Sequence, residues 1–131
     1  GDVYKRQESG PPAYLGETAE VDHSVVTRGS EVEGAVRNSV LSQRCTVAEG
    51  AEVEYSILMP GAVVERGARV AYAILGENVR VGENARVGAS PEAAPPEEWG
   101  ITVVGPEAQV EAGRTLKANR MLNREGKETV R

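Results

Sequence analysis

The sequence predicts an all-β chain wound as a left-handed parallel β-helix of hexapeptide repeats, and three observations carry that prediction. Residues 40–90 say nearly the same thing three times at a period of seventeen: VLSQRCTVAEGAEVEYS (40–56), ILMPGAVVERGARVAYA (57–73) and ILGENVRVGENARVGAS (74–90). A fixed internal period is the mark of a stacked-repeat architecture. Aliphatic residues fall in matching columns spaced six, six and five apart: Leu41, Leu58, Leu75; Val47, Val64, Val81; Val53, Val70, Val87. The third observation lies between them. Four residues after each aliphatic stands a small or branched residue, Cys45, Ala51, Ala62, Ala68, Val79 or Ala85. Just before it stands Gly50, Gly61, Gly67, Asn78 or Asn84, with Arg44 the exception.

Each observation has a structural reading. An amphipathic helix repeats at i, i+3, i+4 and i+7, and a step of six does not fit it. Gly and Asn enter the left-handed αL region at little cost. Each hexapeptide is therefore a short strand followed by a tight αL turn. Three such units close a triangular coil, and coils stack about 4.8 Å apart, the spacing of paired strands. Right-handed crossovers are the rule where a helix makes the connection; here tight αL turns replace the helix. A β-sandwich is the competing architecture, and its strands do not keep sixfold spacing.

In chain order, residues 1–14 read as linker or the edge of a fragment. Gly1 to Gln7 carry no repeat, and Pro11-Pro12 holds the chain extended. The β-helix is expected over 15–116. Leu15, Val21 and Val26 open it, with Ala19 in the small column, and Val26 to Val32 is another sixfold step. Only nine residues separate Val32 from Leu41, so that coil is trimmed, with Val36 at its corner. Ser24, Ser39 and Ser56 form a further column, each two residues before an aliphatic. The Pro- and Glu-rich stretch 91–98 reads as a loop bulging from one corner. The repeat resumes at Val104, Val110 and Leu116, with Ala108 in the small column. Residues 117–131 are expected to form a polar tail that caps the last coil or frays; from Arg114 onward six basic residues stand against two acidic.

Composition narrows the function. The 131 residues suit one domain. The net charge of −5 argues against nucleic acid. The single cysteine, Cys45, excludes an internal disulfide and fits a reducing cytoplasm. No apolar run is long enough to span a bilayer as a helix. Cofactor chemistry leaves no trace: metal-ligand spacing and a P-loop are both missing. The glycines of VRVGENARVG (79–88) are turn residues rather than a dinucleotide fingerprint. Catalytic candidates are few. Many hexapeptide β-helices are acyltransferases in which a coil histidine is the general base, and His23 is the one histidine. It stands in the first, incomplete coil, and a lone exposed histidine is ordinarily incidental. Cys45 sits in a small inward column, where a buried inert thiol is the default. No catalytic residue is assigned.

The segments PPA (11–13), NSVL (38–41), YSILMPGAVV (55–64) and AILGENVRVGENARVG (73–88) resemble the C-terminal domain of bacterial glucose-1-phosphate adenylyltransferase (ADP-glucose pyrophosphorylase). The likeness covers roughly 11–116 and extends to the catalytically degraded regulatory paralogue of that enzyme. SILMPG is its most specific element. The resemblance implies a parent enzyme that makes ADP-glucose and pyrophosphate from ATP and glucose 1-phosphate, for glycogen synthesis. The family's Gly-rich nucleotide loop, sugar-phosphate lysine and metal-binding aspartate lie in an N-terminal catalytic domain and have no counterpart here. The chain is thus expected to be a regulatory and assembly domain, inactive alone. Its expected partners are its own N-terminal catalytic domain, further subunits of a homo- or hetero-oligomer and an anionic metabolite effector, with neither nucleic acid nor membrane. Alternatives are a hexapeptide-repeat acyltransferase and the β-helix of another sugar nucleotidyltransferase. An anionic effector needs cationic side chains, and Arg28, Arg37 and Arg44 are expected to supply them near the N-terminal end, Arg37 and Arg44 flanking a cleft at the trimmed coil.

Overall fold

A computed structural model describes residues 10–131; the expectation of foreign sequence at residues 1–7 lies outside the described residues. Among the described residues nineteen short strands, β1–β19 in chain order, run almost throughout in parallel on three flat faces. Face A stacks β1 (Tyr14–Leu15), β4 (Glu31–Val32), β7 (Thr46–Val47), β10 (Val63–Val64), β13 (Arg80–Val81) and β16 (Gln109–Val110). Face B stacks β2 (Glu20–Asp22), β5 (Ala35–Arg37), β8 (Glu52–Glu54), β11 (Arg69–Ala71), β14 (Arg86–Val87) and β17 (Thr115–Leu116). Face C stacks β3 (Val25–Val26), β6 (Val40–Leu41), β9 (Ile57–Leu58), β12 (Ala73–Leu75), β15 (Thr102–Val104) and β18 (Arg120–Leu122), closed by β19 (Glu128–Val130). The chain is an all-β parallel solenoid of hexapeptide repeats.

Register follows the columns read from sequence. Leu41 pairs Leu58 and Leu58 pairs the strand of Leu75; Val47, Val64 and Val81 align, as do Val53, Val70 and Val87. All nine side chains are buried to 1 % exposure or less, and so is the whole small column from Cys45 to Ala85. The interior is one narrow stack of aliphatic side chains, so large aromatics have no place in it. Every corner residue expected in αL has positive φ, from Asn78 at 58° to Gly50 at 80°. Arg44, read as the exception, adopts it too, at φ 58°.

Gly67 shows what a corner demands. Its φ is +73°, and a Cβ there would press on the side-chain oxygen of Asn84 in the next coil. Gly67→Val is expected to cost about 1–2 kcal/mol, the αL penalty for an L side chain, read as a lowered denaturation midpoint. An unchanged midpoint would place the corners one residue away.

The trimmed coil closes by a different device. Val36, expected at the corner of this coil, lies instead inside β5 on face B, in the column of Val53, and pairs it directly. Between Val32 and Val36 the chain cuts the corner at Gly34, which lies against the carbonyls of Ala48 and Ala51. The third corner, between faces B and C, uses αL residues that are not glycine: His23, Asn38, Tyr55 and Tyr72, at φ 49–53°. The rings of Tyr55 and Tyr72 stack at 4.9 Å and 17°, and such contact, worth about 0.5–1.5 kcal/mol, offsets part of the strain. Behind them runs a hydroxyl ladder. Ser39 Oγ–H donates to the Arg37 carbonyl (2.8 Å) and accepts from the Ser56 N–H (3.0 Å); Ser56 repeats this toward Glu54 (2.9 Å) and Ala73 (3.1 Å). The serine column thus satisfies buried backbone donors at a corner where regular pairing lapses.

The coils do not stop at Leu116. β18 continues face C in parallel register with β15, burying Leu122 to 1 %. Residues 117–131, expected as a polar tail, therefore contribute one more strand before turning back. β19 then pairs β18 antiparallel. Glu128 fastens it by accepting from Arg114 (2.8 Å) and Arg120 (3.0 Å). The basic residues of this segment are partly spent on closing the stack. At the opposite end the inward Leu15 is exposed to 52 %. The 91–98 stretch forms two single-turn 3-10 segments, Pro91–Ala93 and Pro96–Glu98, on the face B–face C corner, held by the Trp99 indole donating to the Ala94 carbonyl (2.7 Å).

Candidate anion-binding site

Arg28 and Arg44 come together and Arg37 does not. Arg28 and Arg44 occupy the face C–face A corner of successive coils, tied by a backbone bond from Arg44 N–H to the Arg28 carbonyl (3.0 Å). Gly10, Pro11, Gly29 and Gln43 complete a cleft of about 150 Å³ around them. The Arg28 guanidinium donates to the Gly10 carbonyl (3.3 Å). The Arg44 side chain is exposed and makes no hydrogen bond or ion pair to another described residue. Its neighbours in the αL column are Gly29 and Gly61. A long cationic side chain thus stands, at a backbone cost, where the adjacent coils use glycine. Glu107 holds the same column in αL at φ 68°, and strain kept in a regular array is a reason to ask what such a side chain does.

Arg37 lies on face B. Being one residue past the inward Val36, it projects outward in register with Glu54, and its guanidinium donates to Glu52 (3.3 Å) and Glu54 (3.5 Å) of the next coil. At the trimmed coil Gly34 packs against the carbonyls of Ala48 and Ala51, and Arg37 lies on face B, away from the Arg28–Arg44 cleft. The column position of Arg37, shared with Glu54 and Ala71, carried this information in the sequence.

A second groove was not legible. Beneath the 91–98 loop, Arg69 and Arg86 stand opposite each other on β11 and β14, with Ser90 and Ala93 forming the wall. Arg69 leans toward Glu52 at 4.0 Å. The seventeen-residue spacing of Arg69 and Arg86 was visible; the path of the loop that encloses them was not.

Cys45 is fully buried, its thiol directed at the Met59 carbonyl (Sγ–O 3.3 Å). Burial pushes its pKa up, which keeps the sulfur protonated and unreactive. His23 stands on an outer corner with 78 % of its side chain exposed, its Nδ1 3.0 Å from Asp22. Among the described residues no group of His, Cys, Asp and Glu is arranged to hold a metal ion, and no helix is long and apolar enough to cross a membrane.

A stacked hexapeptide solenoid with a cationic corner cleft defines a class before it defines a protein. Residues 12–114 match the family described as GlmU-like, C-terminal hexapeptide, and the chain belongs to that family. Within it the chain is similar to glucose-1-phosphate adenylyltransferase of Desulfitobacterium hafniense, 35 % identical over 114 residues, covering 87 % of this chain and 28 % of the relative. It is also similar to the protein of that name from Acetivibrio thermocellus, 36 % identical over 126 residues, covering 92 % and 30 %. The chain thus spans less than a third of the length of these curated relatives, and the match falls on their C-terminal part. Among solved structures it resembles a variant of GDP-perosamine N-acetyl transferase from Caulobacter crescentus (TM-score 0.51, 16 % identity, covering 92 % of this chain and 55 % of that one). It also resembles the acetyltransferase domain of PglB from Neisseria gonorrhoeae (TM-score 0.50, 18 % identity, 97 % and 61 %). At such identities these two show the fold alone.

Proposed function

We propose that this chain is the regulatory and assembly domain of a glucose-1-phosphate adenylyltransferase. That parent enzyme forms ADP-glucose and pyrophosphate from ATP and glucose 1-phosphate, in the cytoplasm, for glycogen synthesis. The observation that carries the reading is the agreement of relatives 35–36 % identical over 87–92 % of the chain on that one name. Two features of the fold support it. The first coil leaves Leu15 and Val21 exposed where later coils bury their counterparts, a surface suited to packing against a catalytic domain. The Arg28–Arg44 cleft lies at the same end, where an anionic effector binding the arginines is placed to act on that domain.

Arg44 is the residue to test. In a full-length enzyme carrying this domain, Arg44→Ala is expected to raise the effector concentration for half-activation about tenfold, the loss of one charge-assisted hydrogen bond of about 1.5 kcal/mol. Turnover without effector is expected to stay unchanged. Arg37→Ala, committed to Glu52 and Glu54, is expected to leave the activation curve in place. Arg44→Gly, in the isolated chain, should raise stability by about 0.5 kcal/mol as the αL strain is relieved. Activation curves for Arg44→Ala that overlay the parent's would remove the cleft from the reading. Acyl transfer is checked directly by thiol release from acetyl-coenzyme A, which is expected to be nil.

A further inference from the structure

Beneath the 91–98 loop, face B holds two cations that no carboxylate answers. Its outward positions first carry a closed ion-pair network: Arg37 donates to Glu52 and Glu54, and Arg69 lies 4.0 Å from Glu52. One strand on, Arg86 is exposed and stands in register between Arg69 and Thr115. Like charges directly opposite on paired strands repel, and of these two arginines only Arg69 has a carboxylate within reach. Neither the Arg86 guanidinium nor the Lys117 ammonium forms an ion pair or hydrogen bond to another described residue. Both line a cleft of about 300 Å³. It shares Arg86, Gly88, Ala89 and Ala93 with the cleft of about 200 Å³ beside Arg69, so the two form one groove with Arg86 at its middle.

The space is built by backbone and small side chains. In the outward column that holds Arg37 and Glu54, the next positions are Ala71 and, one past Val87, Gly88. Gly88 has φ +75°, and a Cβ there would press on the Ala71 carbonyl oxygen, so no side chain can fill the floor. The loop that forms the wall is braced from within. Ala93 N–H donates to the Ser90 carbonyl (2.9 Å), Glu98 N–H to the Pro95 carbonyl (2.8 Å) and the Trp99 indole to the Ala94 carbonyl (2.7 Å). A groove shaped in this way exists before a ligand arrives, which removes the cost of ordering its walls.

We propose that this groove binds a small phosphate monoester carrying hydroxyl groups, at a site separate from the Arg28–Arg44 cleft. Arg86 and Lys117 hold the phosphate from two sides, the guanidinium through paired donors and the ammonium as a point charge. The Ser90 hydroxyl stands at the same place. Its oxygen accepts from the Glu92 N–H (3.2 Å), which leaves its proton without an acceptor among the described residues. Glu98 sits on the rim of the cleft beside Lys117 and is exposed. A carboxylate only accepts, so Glu98 selects hydroxyls at the far end of the ligand and rejects a second anionic group there. The Arg28–Arg44 cleft lies at the face C–face A corner of early coils, with no lining residue in common. The proposal therefore goes beyond the adenylyltransferase reading and does not depend on it.

Titration of the isotope-labelled 131-residue chain with glycerol phosphate, followed by amide chemical shifts, tests this. Saturable shifts are expected at the amides of Gly88, Ser90 and Lys117; those of Gly29 and Gln43 report the other cleft separately. Arg86→Gln and Lys117→Gln are each expected to weaken the affinity read at the three groove amides by at least about tenfold. Both side chains are exposed, so thermal melts matching the parent's are expected for these variants. Arg44→Ala is expected to leave the groove titration unchanged. Inorganic phosphate is expected to bind there about tenfold more weakly than the ester, lacking the hydroxyls that Glu98 accepts from, and glycerol not at all. No saturable shift at the groove amides with millimolar glycerol phosphate overturns the proposal. So do titrations that Arg86→Gln and Lys117→Gln leave unchanged, or inorganic phosphate binding as tightly as the ester. Each of these results leaves the adenylyltransferase reading to its own activation assay.

Discussion

Val64→Asp is expected to leave the chain unfolded at room temperature. Val64 is fully buried and sits in register between Val47 and Val81 in the interior stack. The stack is one side chain wide at this level and holds no cation within it, so a carboxylate there has no partner and no route to water. Burying an uncompensated polar or charged group costs several kcal/mol, against a total stability of about 5–15 kcal/mol for a domain. Val70→Asp should behave in the same way. Val63→Asp is the matched control. Its side chain is the outward neighbour on the same strand and only half-buried, so a loss under about 1 kcal/mol is expected. A cooperative melt of Val64→Asp near the parent's would falsify the register; equal losses at both positions would show that the two sides of the strand are not distinguished as described.

Gly34→Ala carries the second large expected effect, about 3 kcal/mol. The cause is not a forbidden dihedral. A Cβ at this position would press into the carbonyl oxygens of Ala48 and Ala51 and the Val47 side chain. Two of these three obstacles are backbone of the next coil and cannot rotate away, so the coils must separate locally; overpacking of this kind costs about 1–3 kcal/mol and more where the backbone is fixed. Gly50→Ala offers the comparison. There φ is +80°, but the nearest atom to an added Cβ is 3.7 Å away, so only the αL penalty of about 1–2 kcal/mol is expected. The measurement is the difference in denaturant midpoint between the two variants. A Gly34→Ala midpoint equal to the parent's would mean that the shortened coil does not cut its corner here.

The Val64 prediction draws on columns that were readable in the sequence, and the reason is local. In a solenoid each coil touches only its neighbours, so the same chemical demand recurs at a fixed interval. An inward position needs an aliphatic side chain of the same girth, and a corner needs a residue that accepts positive φ. Leu41, Leu58 and Leu75 answer the first demand, and Gly50, Gly61, Gly67, Asn78 and Asn84 the second. The shortened coil was recognised from the nine residues between Val32 and Leu41, but Val36 was read as its corner and not as the inward residue of β5.

Other features needed the folded chain. The third corner places His23, Asn38, Tyr55 and Tyr72 in αL. No glycine marked it, since a tyrosine stack and a serine ladder stabilise it from outside and inside. The last strand was hidden because β18 reaches its buried Leu122 after an irregular step past Leu116, inside a stretch dominated by basic residues. The arginines are the clearest case. Their spacing along the chain is alike, yet Arg37 is bound by two glutamates on face B while Arg44 stands open in a corner cleft. The sequence alone determined the period, the inward columns and the class of fold, because those follow from backbone geometry and side-chain size at single positions. Only the tertiary structure decided which charges pair and where the loop encloses a groove, because those depend on what neighbouring coils bring within a few ångströms.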